Sequence, residues 1–274
     1  MRARVGSPTL PPVNFAPHEI IWLLVLGLAA GALGGMLGIG GSVIMIPVLT
    51  WLFGQQHLSQ AVAMIVNVCV SLPALLQHHR AKAVRWSVVG RMLPAGIAFI
   101  LVGVEASNHM DGKVLEKLFG AFLLYMVATN VYELVAGKAE PEPHEQRTDW
   151  LRMSAIGSAT GFTAGLLGIG GGNIAVPLLQ RFASLPLRQC IATTAAFMCV
   201  SASIGAVRKN LALSTLNLGL SWQQSLAIAA FLAPTAVLGG LIGGRLTHAL
   251  PLTWVRVAFI LLLLWAGIDM LGFV

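Results

Sequence analysis

The chain has 274 residues, 57% hydrophobic and 10% charged, with a mean hydropathy of +0.81. A soluble domain carries about 25% charged residues, so the composition excludes a water-soluble enzyme or binding module and points to an integral membrane protein. The net charge of +7 comes mostly from Lys and Arg in short connections, which gives it a topological meaning and argues against a nucleic-acid partner.

Residues 1–18 hold prolines at positions 8, 11 and 12 and show no periodicity, so they read as a flexible tail. Arg2 and Arg4 ahead of an apolar run resemble a signal peptide, but the region that would be cleaved returns internally near position 161, and that reading is rejected. From Ile20 to His79 there is no Asp, Glu, Lys or Arg over 60 residues, whereas one helical crossing takes roughly 20 apolar residues. The stretch must therefore cross or enter the bilayer more than once. Its first segment runs from Ile20 to Leu37, Gly38 to Ser42 interrupt it, and Val43 to Phe53 follow. Eleven residues of helix reach only about 16 Å, too short for an ordinary span.

A third segment, Leu58 to Gln77, ends in a cluster of Arg80, Lys82 and Arg85, which the positive-inside rule places in the cytoplasm. Ser87 to Val104 and Val114 to Val135 are the next spans. Residues 137–149 are polar and proline-containing and separate two transmembrane repeats, 19–136 and 150–274.

The second repeat follows the plan of the first. Gly31 to Leu49 returns at Gly161 to Leu179 with a constant offset of 130, and ten of nineteen positions are identical. Cys69-Val70-Ser71 aligns with Cys199-Val200-Ser201 at the same offset, and after an insertion near 210–221 Pro94 aligns with Pro234. The fold class is thus an all-α polytopic membrane protein of two homologous halves, each with a glycine-broken first helix. Counting each broken element as one crossing gives about four spans per half, with both termini and both basic ends, after Gln77 and after Val207, in the cytoplasm. Counting it as a hairpin gives five per half and an inverted repeat, an architecture common in secondary transporters. The first count, eight spans or eight with short re-entrant pieces, is favoured because both basic ends then fall on one side.

Backbone that leaves helical geometry inside a membrane must be buried in protein or line a watery cavity, because lipid cannot satisfy its N–H and C=O groups. The two breaks therefore mark the interior. Gly38, Gly40 and Gly41, and Gly168, Gly170, Gly171 and Gly172, allow left-handed backbone and close approach of a ligand. The helix restarting at Ser42 or at Asn173 aims free N–H groups and a partial positive charge back into the break, which suits an anion, and either side chain can cap that helix. Gly27, Gly31 and Gly35, with Gly161 and Gly165, follow the small-xxx-small spacing of packed transmembrane helices instead. Pro47 and Pro177 bend the restarted helices and free a carbonyl. Asn67, Thr193 and Thr194 follow the breaks in apolar segments and are placed to face the interior, where they can replace the hydration of an oxyanion or bond to neighbouring helices. Ser71 and Ser201 read as packing residues.

Two copies of a G-x-x-x-G-x-x-G-I-G-G-[GS] break, each followed by an apolar helix with proline, resemble the TauE/SafE sulfite exporter (TSUP) family of membrane permeases. The likeness covers most of the chain. It implies transport of a sulfur-containing anion such as sulfite or an organosulfonate. Where that family often carries an Ala-Thr-Ser-type string after the short helix, this chain has Ala192-Thr193-Thr194 in the second half but Val62-Ala63-Met64 in the first.

No Asp or Glu lies centrally in a span, which disfavours a carboxylate proton relay. An anion leaving a negative-inside cell gains about 2.3 kcal/mol per charge per 100 mV, so export needs no relay. No P-loop, HExxH or Cys/His ligand set is present, so no cofactor, metal or enzymatic role is expected. Cys69, Cys190 and Cys199 lack CxxC spacing. The reading is a multi-pass permease of the bacterial inner membrane, with a small anion and the lipid bilayer as partners, no nucleic acid, and room for a homo-oligomer. An uptake carrier for another organic anion and a non-transporting scaffold are the alternatives.

Overall fold

The computed structural model describes residues 15–37, 40–136, 148–216, 218–246 and 252–272. Most of the expected tail, most of the 137–149 linker, and Gly38 lie outside the described residues. Those described form ten helices and no strand: α1 (Pro17–Leu37), α2 (Ser42–Phe53), α3 (Gln56–Arg80), α4 (Trp86–Asn108), α5 (Gly112–Ala136), α6 (Trp150–Leu167), α7 (Gly172–Ala183), α8 (Leu187–Leu213), α9 (Trp222–Leu246) and α10 (Leu252–Leu271). Six are long and apolar enough to cross a membrane, among them α1, α3, α4 and α8. This is a multi-pass membrane protein, with Trp22, Leu28, Tyr125 and Leu261 turned outward where lipid would cover them.

The short helices have the same length in both halves. α2 and α7 hold 12 residues each and start at positions offset by 130. α2 stops at Gly54, whose left-handed backbone (φ 64°) lets its N–H reach the Thr50 carbonyl. Pro47 and Pro177 lie in the second turns of α2 and α7, where each removes a helical donor.

The upstream glycines pack helices, as expected. A Cβ at Gly31 would come within 2.1 Å of the Ala236 carbonyl oxygen, and one at Gly35 within 2.5 Å of that of Gly240. In α6, a Cβ at Gly161 would meet the Gly96 carbonyl oxygen at 2.3 Å and one at Gly165 that of Ile100 at 2.3 Å. Along both interfaces residue numbers rise together, so α1 runs parallel to α9 and α6 parallel to α4. The numbers run oppositely where α3 meets α8, with Lys209 on His57, Gly205 beside Met64 and Thr193 on Arg85. The same holds where Gly120 of α5 packs against Gly267 and Met270 of α10.

These directions are those of two five-helix halves set in opposite orientation, the second of the two counts above. They correct the expectation that both basic ends share a side, because the C-terminal ends of α3 and α8 lie at opposite ends of that pair. The charge count misled for a physical reason. Arg208 is paired with Glu105, and Lys209 is 0% exposed inside the bundle, so neither is the free loop charge on which the positive-inside rule depends.

Candidate functional site

The second break is the more contorted. α6 stops at Leu167, and Gly168, Gly170 and Gly171 take φ of 77°, 71° and 85° before α7 begins. Of these three, Gly170 is the tightest on side chains: beyond the left-handed backbone, a Cβ would lie 2.7 Å from Asn67 Nδ2 and 2.9 Å from Met198 Sδ, so both would have to move. In the first break Gly40 is left-handed at φ 75° with nothing within 4 Å of a Cβ, while Gly41 is right-handed at φ −78°.

Unwinding α6 leaves carbonyls without helical partners, and the first half supplies donors for three of them. Gln60 Nε2 donates to the Leu166 carbonyl at 3.1 Å, Asn67 Nδ2 to that of Gly168 at 3.4 Å, and Ser42 Oγ to that of Ile169 at 3.0 Å. All three side chains are buried. This is the internal satisfaction that a low-dielectric interior demands, and it sorts the expected site residues. Ser42 and Asn67 hold backbone. Neither Ser42 nor Asn173 caps a helix, since Gly41 and Gly171 occupy the capping positions without a side-chain bond.

Other expected residues are left free. Both amide atoms of Asn173, the Thr194 hydroxyl and the Ser201 hydroxyl are buried and find no hydrogen-bond partner among the described residues, and the same is true of Thr160 Oγ1 and Gln60 Oε1. Buried polar groups are seldom left this way unless something else comes to meet them. Thr193 does not join the group, because its hydroxyl accepts from the Arg85 backbone N–H at 3.2 Å. It fixes the α3–α4 connection.

A cavity of ≈ 140 Å³ opens between the breaks. Gly40 and Gly41 of the first and Gly172 of the second line it, with Ser71 and Thr194, and it reaches Gln77 and His78 at the C-terminal end of α3. Its described lining holds no Asp, Glu, Lys or Arg. Intrahelical bonding starts only at Ile44 and at Ile174, which leaves the N–H groups of Ser42, Val43, Gly172 and Asn173 as helix-terminal donors. Arg80, Lys82 and Arg85 stand at the His78 end, and Arg188 is close enough to act on His78. Neutral donors and two helix N-termini thus meet at the cavity, with basic residues at one end of it.

The family model for the sulfite exporter TauE/SafE matches residues 23–270. The chain belongs to that family. Among curated proteins, this TauE/SafE chain is 28% identical to the "probable membrane transporter protein MamO" of Paramagnetospirillum magneticum, over 87% of this chain and 42% of that protein. It is 27% identical to MamO of Magnetospirillum gryphiswaldense, again over 42% of its length, so the chain spans about two fifths of these relatives. It is 25% identical to the "probable membrane transporter protein YunE" of Bacillus subtilis, over 84% of this chain and 89% of that one. No solved structure matches.

Sequence reasoning passed over four residues that matter in this TauE/SafE fold: His57, Gln60, Thr160 and Lys209. The first two carried a signal, since His57, Gln60, Asn67 and Ser71 recur at helical spacing on one face of α3 within an uncharged run. Lys209 gave none, because a lysine beside an arginine at the end of an apolar segment reads as a loop.

Proposed function

We propose that the chain is a permease that exports a small sulfur-containing oxyanion, sulfite or a short organosulfonate, and has no enzymatic activity. The observation that carries the reading is the meeting of two helix N-termini and the unpartnered Thr194 hydroxyl at one uncharged, anion-sized cavity. Asn173, two residues past the left-handed Gly171, adds a second unpartnered donor beside the same break. Neutral donors can replace the hydration of an oxyanion without fixing it by a full opposite charge, which keeps binding reversible. A cavity of about 150 Å³ takes a single benzene-sized molecule, so the volume favours sulfite or sulfoacetate over larger anions. The opposed orientation of the halves favours rocking about a site between them.

The membrane potential supplies the outward drive, about 2.3 kcal/mol per charge per 100 mV. The test is a thermal-shift screen of purified protein with sulfite, sulfoacetate, sulfate, thiosulfate, taurine and carboxylates, followed by flux of the best ligand into liposomes. Stabilisation and flux with sulfite or a sulfonate are expected. Stabilisation by carboxylates alone would replace the substrate class, and no stabilisation with no flux would leave the scaffold reading in its place.

A further inference from the structure

The two ends of the α3–α8 pair are held in different ways. At the Lys209 end three consecutive residues of α8 bond across to neighbouring helices. Arg208 pairs with Glu105 of α4. Lys209, 0% exposed, donates from Nζ to Ser107 Oγ at 2.8 Å, to Asn108 Oδ1 at 3.0 Å and to His57 Nδ1 at 3.1 Å. Asn210 reaches the Ala61 carbonyl of α3 at 3.5 Å and Ser225 of α9. One turn of one helix thus ties α3, α4 and α9 together.

The partners of Lys209 are acceptors by construction. Ser107 spends its own proton on the Val104 carbonyl at 2.8 Å. His57 Nε2 faces the Met110 carbonyl at 3.2 Å, which requires the proton on Nε2 and leaves Nδ1 to accept. Three acceptors meet the three protons of one ammonium, with no carboxylate among them. A buried cation held only by neutral acceptors is a costly device for joining helices, and an apolar side chain of similar volume would serve static packing as well or better. What it offers instead is a closure that comes apart when water enters, since every bond it makes can be exchanged for one to water.

The opposite end is tied differently, through the α3–α4 connection, where the Arg85 backbone N–H donates to Thr193 Oγ1 at 3.2 Å and the exposed Arg85 Nε to Gln189 Oε1 at 2.9 Å. There the cavity reaches Gln77, whose side chain is exposed, and His78. Along α8 the cavity is lined by Ile191, Thr194, Ala195 and Met198, and Met198 lies eleven residues before Lys209, about 16 Å along the helix.

We propose that the Arg208–Lys209–Asn210 turn is the gate that closes one face of the carrier, with Lys209 its latch, and that this conformation is open to the opposite face. The proposal rests on the carrier reading for its purpose, but its test does not depend on transport. Ser201, fully buried eight residues before Lys209, serves as reporter. In a background of Cys69→Ala, Cys190→Ala and Cys199→Ala, Ser201→Cys is reconstituted in sealed vesicles of each orientation and treated with a membrane-impermeant thiosulfonate. Without a latch substitution, no labelling from the Lys209 face is expected. Lys209→Met should raise labelling from that face at least about fivefold, and His57→Leu, which removes one acceptor and leaves the lysine, should raise it less. Ala74→Cys, which lines the cavity near its mouth, should label from the opposite face in every variant and so reports that each has folded. Labelling of Ser201→Cys unchanged by both substitutions, with Ala74→Cys still reactive, would overturn the gate. Labelling of the parent from the Lys209 face would overturn it as well. Absence of anion binding in the thermal-shift screen would strike the substrate reading and leave this result standing.

Discussion

The two glycine breaks differ in how they are held. The second places three left-handed glycines in four residues, has its carbonyls bonded by Gln60, Asn67 and Ser42, and sits tight against Asn67 and Met198. The first has one left-handed glycine among its described residues, with open space around it. Nearly the same string of residues therefore plays two parts. In the second break close packing holds the backbone, and polar groups on Asn173 and Thr194 are left without a hydrogen-bond partner among the described residues. In the first break Gly40 has room around it, while Gly41 lies against the Ala30 carbonyl, where a Cβ would come within 2.9 Å.

The sharpest way to break this contrast is a matched pair of alanines. Gly170→Ala combines left-handed strain of about 1–2 kcal/mol with overpacking of about 1–3 kcal/mol, so a large fall in detergent-solubilised melting temperature and loss of flux are expected. Gly40→Ala carries only the strain, about 1–2 kcal/mol, and the protein should still fold. Equal damage from the two would erase the distinction.

Next in size is a separation of stability from binding. Asn67→Ala strands the Gly168 carbonyl and should cost about 1–3 kcal/mol of stability. Asn173→Ala removes two atoms that have no partner, so stability should hold or rise while anion-induced stabilisation is lost. Ser42→Ala, which strands only the Ile169 carbonyl, should resemble Asn67→Ala; equal flux loss from Ser42→Ala and Asn173→Ala at equal stability would refute the assignment. The smallest expected effect is that of Thr194→Val, a near-isosteric loss of one hydroxyl, which should weaken anion binding about tenfold, or about 1.4 kcal/mol, with the melting temperature of the ligand-free protein unchanged.

Much of this was legible from residues alone. The short helix expected from Val43 to Phe53 is α2, and the break before it lies where the glycines cluster. Periodic packing at Gly31, Gly35, Gly161 and Gly165 was legible too, because small residues four apart line one helix face and let a second backbone come close. Helix direction was not. It depends on whether a twelve-residue helix turns the chain back, and hydropathy is the same either way. The donors of Gln60 and Ser42 could not be assigned either, since their acceptors lie more than a hundred residues away, and no local pattern encodes such a pairing. Lys209 failed for the opposite reason: charge statistics describe the average lysine, and this one is buried.

The bonds from Gln60, Asn67 and Ser42 to the second break also bear on how the protein is made. Every donor precedes its acceptor in the chain, so when α6 emerges from the ribosome the groups that will stabilise its unwound end are already synthesised. A second half expressed alone would have to place three bare carbonyls in a setting without water. The second half thus carries in its unwound backbone a dependence on donors that the first half supplies.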